Sequence, residues 1–377
     1  MLNHQTISQK STRALKMLFV LLVVLAAGRA RASISVLLEQ PYGNLRFVIP
    51  SGHSAIYFDH ICADGPLKLR ACRPGEMGAV ISRYDGIEDY DWVVTPVVGY
   101  LYSVDSVGEI PDWVDRDMEA GLRDAYRREH LESIAPDLPD GSAPKGNWYE
   151  TVGSAYDRTI YGFRMNSSKE QDAEIIALFN DRPNKSRYNG AFTNCADFSR
   201  VMINRLYPKA VRRNFVSDLG MTSPKAVARA VVHYAKKHPE MGLTTFVVPQ
   251  VPGSIPRSGE VKGLAESLVK VYGIPLTLLS PTTAIITAAA YVFGGRFHLP
   301  KNSPVLVLRD EPVAPARRIE TELADSKAVP VELSKRKELT PPATPTPMLL
   351  DGNVPASEMA PGSPTVSVFP DDFRLKY

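Results

Sequence analysis

Apolar and polar positions fall into short runs between Ser33 and about Val104: Ile34 to Leu38, Phe47 to Ile49, Gly52 to Phe58, Leu67 to Cys72, Gly78 to Ser82 and Trp92 to Thr95. Runs of this length, parted by Gly and Pro, predict strands of a small antiparallel sheet with one face on the core. After Pro111-Asp112 the period becomes helical. Val114, Met118, Leu122, Ala125 and Tyr126 form one stripe, and the Arg, Asp and Glu around it read as a solvated face. Ser167 and Glu170 stand at capping-box spacing and predict a helix from Lys169 to Phe179, with Ile175, Ile176 and Phe179 inward. Asn194 is placed as an N-cap and Cys195 as the first helical residue, followed by Phe198, Val201, Met202 and Leu206 on one face and a stop at Tyr207-Pro208. Ser223-Pro224 opens a further helix. Strands first and helices after predict an α+β fold, a small antiparallel sheet packed on helices.

The ends of the chain read differently. Lys10, Arg13 and Lys16 precede an apolar run from Met17 to Gly28 and an Ala30-Arg31-Ala32 site, so residues 1 to 32 read as a secretory signal peptide, too short in its apolar part for an ordinary membrane span. Val271 to Gly295 carries no charge and suits a membrane-associated or transmembrane segment, although Pro275 and Pro281 interrupt it and a buried helical hairpin is the alternative. From Lys301 to Tyr377 prolines alternate with charged and small residues, which predicts a disordered tail. Residues 33 to 250 are left as the catalytic-sized domain, with a helical insertion at about 105 to 165.

Composition narrows the classes. The formal net charge is only +3, and no zinc-finger spacing, nucleic-acid motif or phosphate-binding glycine loop occurs, so nucleic acid is not expected as a partner and no metal or organic cofactor is implied. Arg205, Lys209, Arg212, Arg213, Lys225, Arg229, Lys236 and Lys237 face the single acid Asp218, a basic stretch that suits an anionic membrane or cell-wall polymer, or is simply solvated. Asn147 to Glu150 and Tyr156 to Phe163 are dense in aromatics and read as core, with the lining of a substrate groove as the alternative.

Export bears on the three cysteines. Cys62 and Cys72 flank a turn and can pair across a hairpin, or all three thiols can be reduced and buried. If they pair, Cys195 is the odd thiol. Its position in the first turn, against unpaired amides and the positive end of the helix dipole, favours the thiolate, whereas a small buried apolar residue is the structural alternative. Of seven histidines, His53 opens a strand directly after a Pro50-Ser51-Gly52 turn, a rigid place from which an imidazole can serve a cysteine.

Gly52-His53-x-Ala55-Ile56-Tyr57, followed downstream by Tyr188-x5-Asn194-Cys195-x-x-Phe198, resembles the circularly permuted papain-like hydrolases: the lecithin:retinol acyltransferase group and permuted relatives of the NlpC-type cell-wall peptidases. The resemblance implies Cys195 as nucleophile and His53 as base, with a cell-wall peptide or an acyl lipid as substrate and a periplasmic or extracellular, possibly membrane-anchored, location. The spacing between the two motifs is longer than in compact members of the family. The residue that orients the histidine has no clear counterpart; Asp59, His60, Arg70 and Ser82 are candidates, and Tyr188 and Asn194 are possible supporting residues. A membrane-anchored binding or scaffold protein that keeps the fold without turnover is the reading from another class.

Overall fold

The computed structural model describes residues 32–43, 51–185, 188–213, 220–263, 280, 282, 285, 297–300, 302–306 and 308. The signal-peptide reading, the strand at Phe47 to Ile49, nearly all of 271 to 295 and the greater part of the tail lie outside them. Among the described residues no helix is long and apolar enough to cross a membrane.

The fold is α+β. Strands β1 (Ser33–Glu39), β2 (His53–Phe58), β5 (Ala79–Ser82), β6 (Val93–Pro96), β7 (Ile160–Asn166) and β8 (Thr244–Val248) form one sheet in the order β6-β5-β2-β1-β7-β8, every neighbouring pair antiparallel. Strands β3 (Ile61–Ala63) and β4 (Leu69–Ala71) make a separate hairpin, across whose base Cys62 and Cys72 are joined by a disulfide.

The helices α4 (Lys169–Asn180), α5 (Cys195–Leu206) and α6 (Pro224–Ala235) share a core with Ile34, Val36, Ile56, Phe58 and Phe163 on one sheet face. The other face, with Leu37, Ala55, Tyr57 and Val80, is covered by α1 (Val97–Tyr102), α2 (Arg116–His130) and α3 (Ser154–Asp157). Covered on both faces, β1 is buried along its whole length, which explains its unbroken apolar character.

Several expectations are corrected. Strands β7 and β8 were not predicted, because Ile160 to Asn166 carries Tyr161, Gly162 and Arg164 within a segment read only as aromatic-rich. Gly162 is there because a Cβ would fall 2.0 Å from the Phe246 ring of β8. The capping box of α4 is Ser168 with Gln171, one residue later than expected, while the Ser167 hydroxyl donates instead to Asp172 at 3.0 Å. In α5 the buried face takes Ile203 where Val201 was expected. Of the aromatics, Trp148, Tyr156 and Phe163 are core, while Tyr149 is exposed. The start of the tail is also ordered: Val247 of β8 donates to Pro304 at 2.9 Å and receives a bond from Leu306 at 2.8 Å.

The largest correction concerns α2. The helix begins at Arg116, with Asp115 as its N-cap, and Val114 instead bridges to Gly253. Met118 is exposed, whereas Glu119, Arg123 and Arg127 are buried, so these three charged residues lie inside while Arg116, Asp117, Arg128 and Glu129 face solvent as expected. The buried three are tolerated because they are paired. Arg123 meets Glu119 at 2.7 Å and Asp157 at 2.8 Å, and Arg116 reaches the same two carboxylates at 2.7 Å each. Burial raises the Glu119 carboxyl, and although burial also works against ionising Asp157, Arg123 and its other partners outweigh it and hold that carboxyl below its usual range.

Gly52 fixes the entry into β2. Its φ is +69°, and a Cβ there would fall 2.0 Å from the carbonyl oxygen of Glu39. The left-handed backbone alone disfavours a side chain by about 1–2 kcal/mol, and the clash with backbone adds to it.

Two outcomes are expected in denaturant unfolding. Gly52→Ala loses at least about 2 kcal/mol. Arg123→Met, which strands Asp157 and Glu119, loses about 3–5 kcal/mol at neutral pH. Because the Asp157 carboxyl is held low in the fold, its contribution is present above its unfolded value and disappears as pH falls through the folded one. The deficit of the Arg123 variant therefore narrows in acid.

Candidate active site

Asn194 sets the start of α5 as its sequence implied. Its side-chain oxygen accepts from the Asp197 amide at 2.8 Å, and its Nδ2 donates to the carbonyls of Gly190 and Thr222 at 2.9 and 3.1 Å. Asp197, in the first turn, accepts from Arg213 at 2.9 Å and from the Thr222 hydroxyl at 3.1 Å. Cys195 therefore heads a helix clamped on two sides. It is the free cysteine of the chain and is 7% exposed.

Helix α5 packs on the start of β2, where the hydroxyls of Ser54 and Ser199 meet at 2.9 Å. The backbone of Ser54 carries the rest of the site. Its carbonyl accepts from the Ser82 hydroxyl at 3.0 Å, and its amide is the group that most counters the rise of the Cys195 thiol. The ladder between β2 and β5 ends at the Ile56–Ile81 pair, so these two groups of Ser54 are not needed for the sheet on that side.

Ser82 also lies 2.7 Å from His53 Nε2. A hydroxyl has one proton, and that of Ser82 is committed to a carbonyl, which can only accept. The imidazole must therefore be the donor at Nε2, and the neutral ring keeps its lone pair on Nδ1. Tyr84 stacks flat on the ring, with centroids 4.8 Å apart and planes at 15°. The imidazole is held at one edge and on one face.

Among the orienting candidates, only Ser82 touches His53. Asp59 and His60 lie beyond the far end of β2, roughly 20 Å of strand away. Asp59 there binds the Ser33 amide at 2.7 Å and Arg164 at 2.8 Å, and His60 pairs with Asp59. Arg70 is engaged with Glu76. Tyr188 is exposed but stands near enough to the sulfur that, after burial, a charge on Cys195 is the next cause raising its phenol.

The expectation of a favoured thiolate is not met in the resting protein. Burial pushes the Cys195 thiol up to about 11, against the pull of the Ser54 and Ala196 amides, and Glu150 and Glu39 add to the rise. Burial also lowers His53 well below the ordinary imidazole value, and Arg158 lowers it further. At neutral pH the two groups rest as uncharged thiol and uncharged imidazole. The first turn of a helix suggested a charged sulfur, but the desolvation that overrides it depends on the packing of α5 against β2.

No family model matches the chain, and no curated protein matches it. Among solved structures, the type VI secretion system effector TseH is similar with a TM-score of 0.27 and 13% identity, over 59% of this chain and 95% of the effector. A likeness at that level establishes neither a family nor an activity.

Proposed function

We propose that the chain is an exported cysteine hydrolase or acyltransferase of the permuted papain-like kind, acting on an amide or peptide bond, with a cell-wall peptide as substrate ahead of an acyl lipid. The observation that carries this reading is the arrangement at the start of β2: α5, headed by Cys195, packs on Ser54 through Ser199, the Ser54 carbonyl fixes Ser82, and Ser82 in turn leaves His53 with a basic Nδ1. In this reading His53 Nδ1 takes the thiol proton as the sulfur attacks the carbonyl carbon. The Cys195 amide at the helix start donates to the developing oxyanion, and the imidazolium returns the proton to the leaving amine as a thioester forms. Water, or an acceptor nucleophile, then releases the acyl group. Ser82 is the orienting residue, and Tyr188 borders the approach to the sulfur. No metal or cofactor enters these steps.

The near-complete burial of both Cys195 and His53 favours a second reading, a binding module that keeps the fold without turnover.

The rate of iodoacetamide alkylation against pH separates the two. With Cys62 and Cys72 bridged, the label reports Cys195 alone. General-base assistance predicts a rate that rises as imidazolium is lost below about pH 6.5 and then stays level until the thiol itself ionises near 11. His53→Ala removes the level region and lowers the neutral-pH rate by about 10²-fold or more. Ser82→Ala, which frees the ring to turn, lowers it about tenfold. A wild-type profile that follows thiol ionisation alone, unchanged in His53→Ala, would sink the catalytic reading in favour of the binding module.

A further inference from the structure

A second set of buried ionisable groups lies behind the imidazole. Glu39 is the cross-strand partner of His53 in the β1–β2 register and is 1% exposed. Its carboxylate accepts a very short hydrogen bond from the Tyr100 hydroxyl, to which the Tyr84 hydroxyl donates at 3.3 Å. Tyr84 is the ring that stacks on His53. On its other side Glu39 meets Arg158 at 3.2 Å. Arg158, 3% exposed, also reaches Glu150 at 3.4 Å and lies over the Tyr42 ring, 4.3 Å from its centroid.

Nothing in the folding of the sheet requires ions here. A carboxylate and a guanidinium removed from water are costly, and a hydrophobic pair of similar volume is often no less stable. Their placement, one strand from His53 and connected to it through Tyr100 and Tyr84, is what calls for explanation.

Building on the Cys195–His53 reading, we propose that the buried Glu39–Arg158 pair is a positioning device for His53, holding the Tyr84 ring against the imidazole through Tyr100 and fixing a guanidinium against the carboxylate one strand from it. Glu39 is a buried acid whose own ionisation is opposed first by desolvation, so it compensates Arg158 incompletely. Around His53 thus stand Tyr84 after β5, which stacks on the ring, and Glu39 from β1, and behind them Tyr100 from α1, Arg158 after α3 and Glu150 ahead of α3. Of these, the guanidinium is the one fixed cation. It favours the uncharged imidazole, the form that can accept a proton from sulfur.

The test is the acidic limb of the Cys195 alkylation profile, measured on the full chain with iodoacetamide. The double variant Glu39→Gln with Arg158→Met leaves no buried ion unpaired; in it the limb moves up toward the ordinary histidine value by about half a unit or more. Arg158→Lys, which keeps the charge, leaves the limb at or near its wild-type position. Glu39→Gln alone is nearly isosteric, keeps the guanidinium, and serves even if the double variant fails to fold; its limb stays in place or falls. A limb unmoved in a folded double variant, an equal upward shift in Arg158→Lys, or any upward shift in Glu39→Gln overturns the proposal and leaves the pair a structural one. Loss of any His53-dependent limb in the wild type is a different result: it removes the underlying Cys–His reading, and this inference with it.

Discussion

The peptide units flanking Ser54 are the constraint on which the site depends. A strand residue beyond the last rung of its ladder has a backbone donor and acceptor that must be satisfied elsewhere if they are buried. Here the acceptor goes to a hydroxyl from β5, while the side chain of the same residue meets Ser199 of α5 and its amide counters the rise of the Cys195 thiol. Three elements far apart in sequence are thereby tied to one residue. Because a backbone group cannot rotate away as a side chain can, the Ser82 hydroxyl is held as firmly as the sheet itself. Gly52 completes the arrangement by letting the chain turn into β2 against the Glu39 carbonyl, where any other residue would push the strand outward.

The polar interior follows from the same geometry. The sheet face that carries His53 also carries Glu39 and Ser82, and the elements that cover it bring Arg123, Asp157 and Arg158. Asp157 and Arg158 are adjacent but serve different neighbours, Asp157 the arginines Arg116 and Arg123 of α2 and Arg158 the carboxylate of Glu39. A short stretch at the end of α3 thus joins the charged interior of α2 to the surroundings of the candidate base. Each cluster is stable only while complete, since removing one partner leaves another charge in a low-dielectric interior. This explains why α2, with few apolar residues on its inner face, nevertheless packs there.

Much of the helical half was legible because its signals are local. Asn194, Ser223-Pro224 and the stop at Tyr207-Pro208 are capping and breaking chemistry that acts within a few residues. Around His53 and Cys195 the local part was legible too: His53 opens β2, Cys195 heads α5, and α5 packs on the start of β2 through Ser54 and Ser199. What escaped was non-local. Strand β7 is hidden in sequence because a Gly stands where an inward side chain belongs, and only the Phe246 ring from β8 explains it. The inward charges of α2 were misread because polarity indicates solvent only when no partner is buried with it, and Asp157 lies well beyond the helix in sequence. Among the orienting candidates, Asp59 matched His53 by strand alternation, but alternation says nothing of distance along the strand, and the residue that meets the ring, Ser82, comes from the neighbouring strand.

The protonation states bear on how such a site works. Burial pushes the Cys195 thiol up to about 11 and lowers the His53 imidazole from its ordinary value, so both groups rest uncharged at neutral pH. Burial thus suppresses idle thiolate, which oxidants and stray electrophiles attack. The same desolvation that argues against a reactive cysteine in the free protein is compatible with one whose reactivity is expressed only toward an acceptor bound against the start of α5.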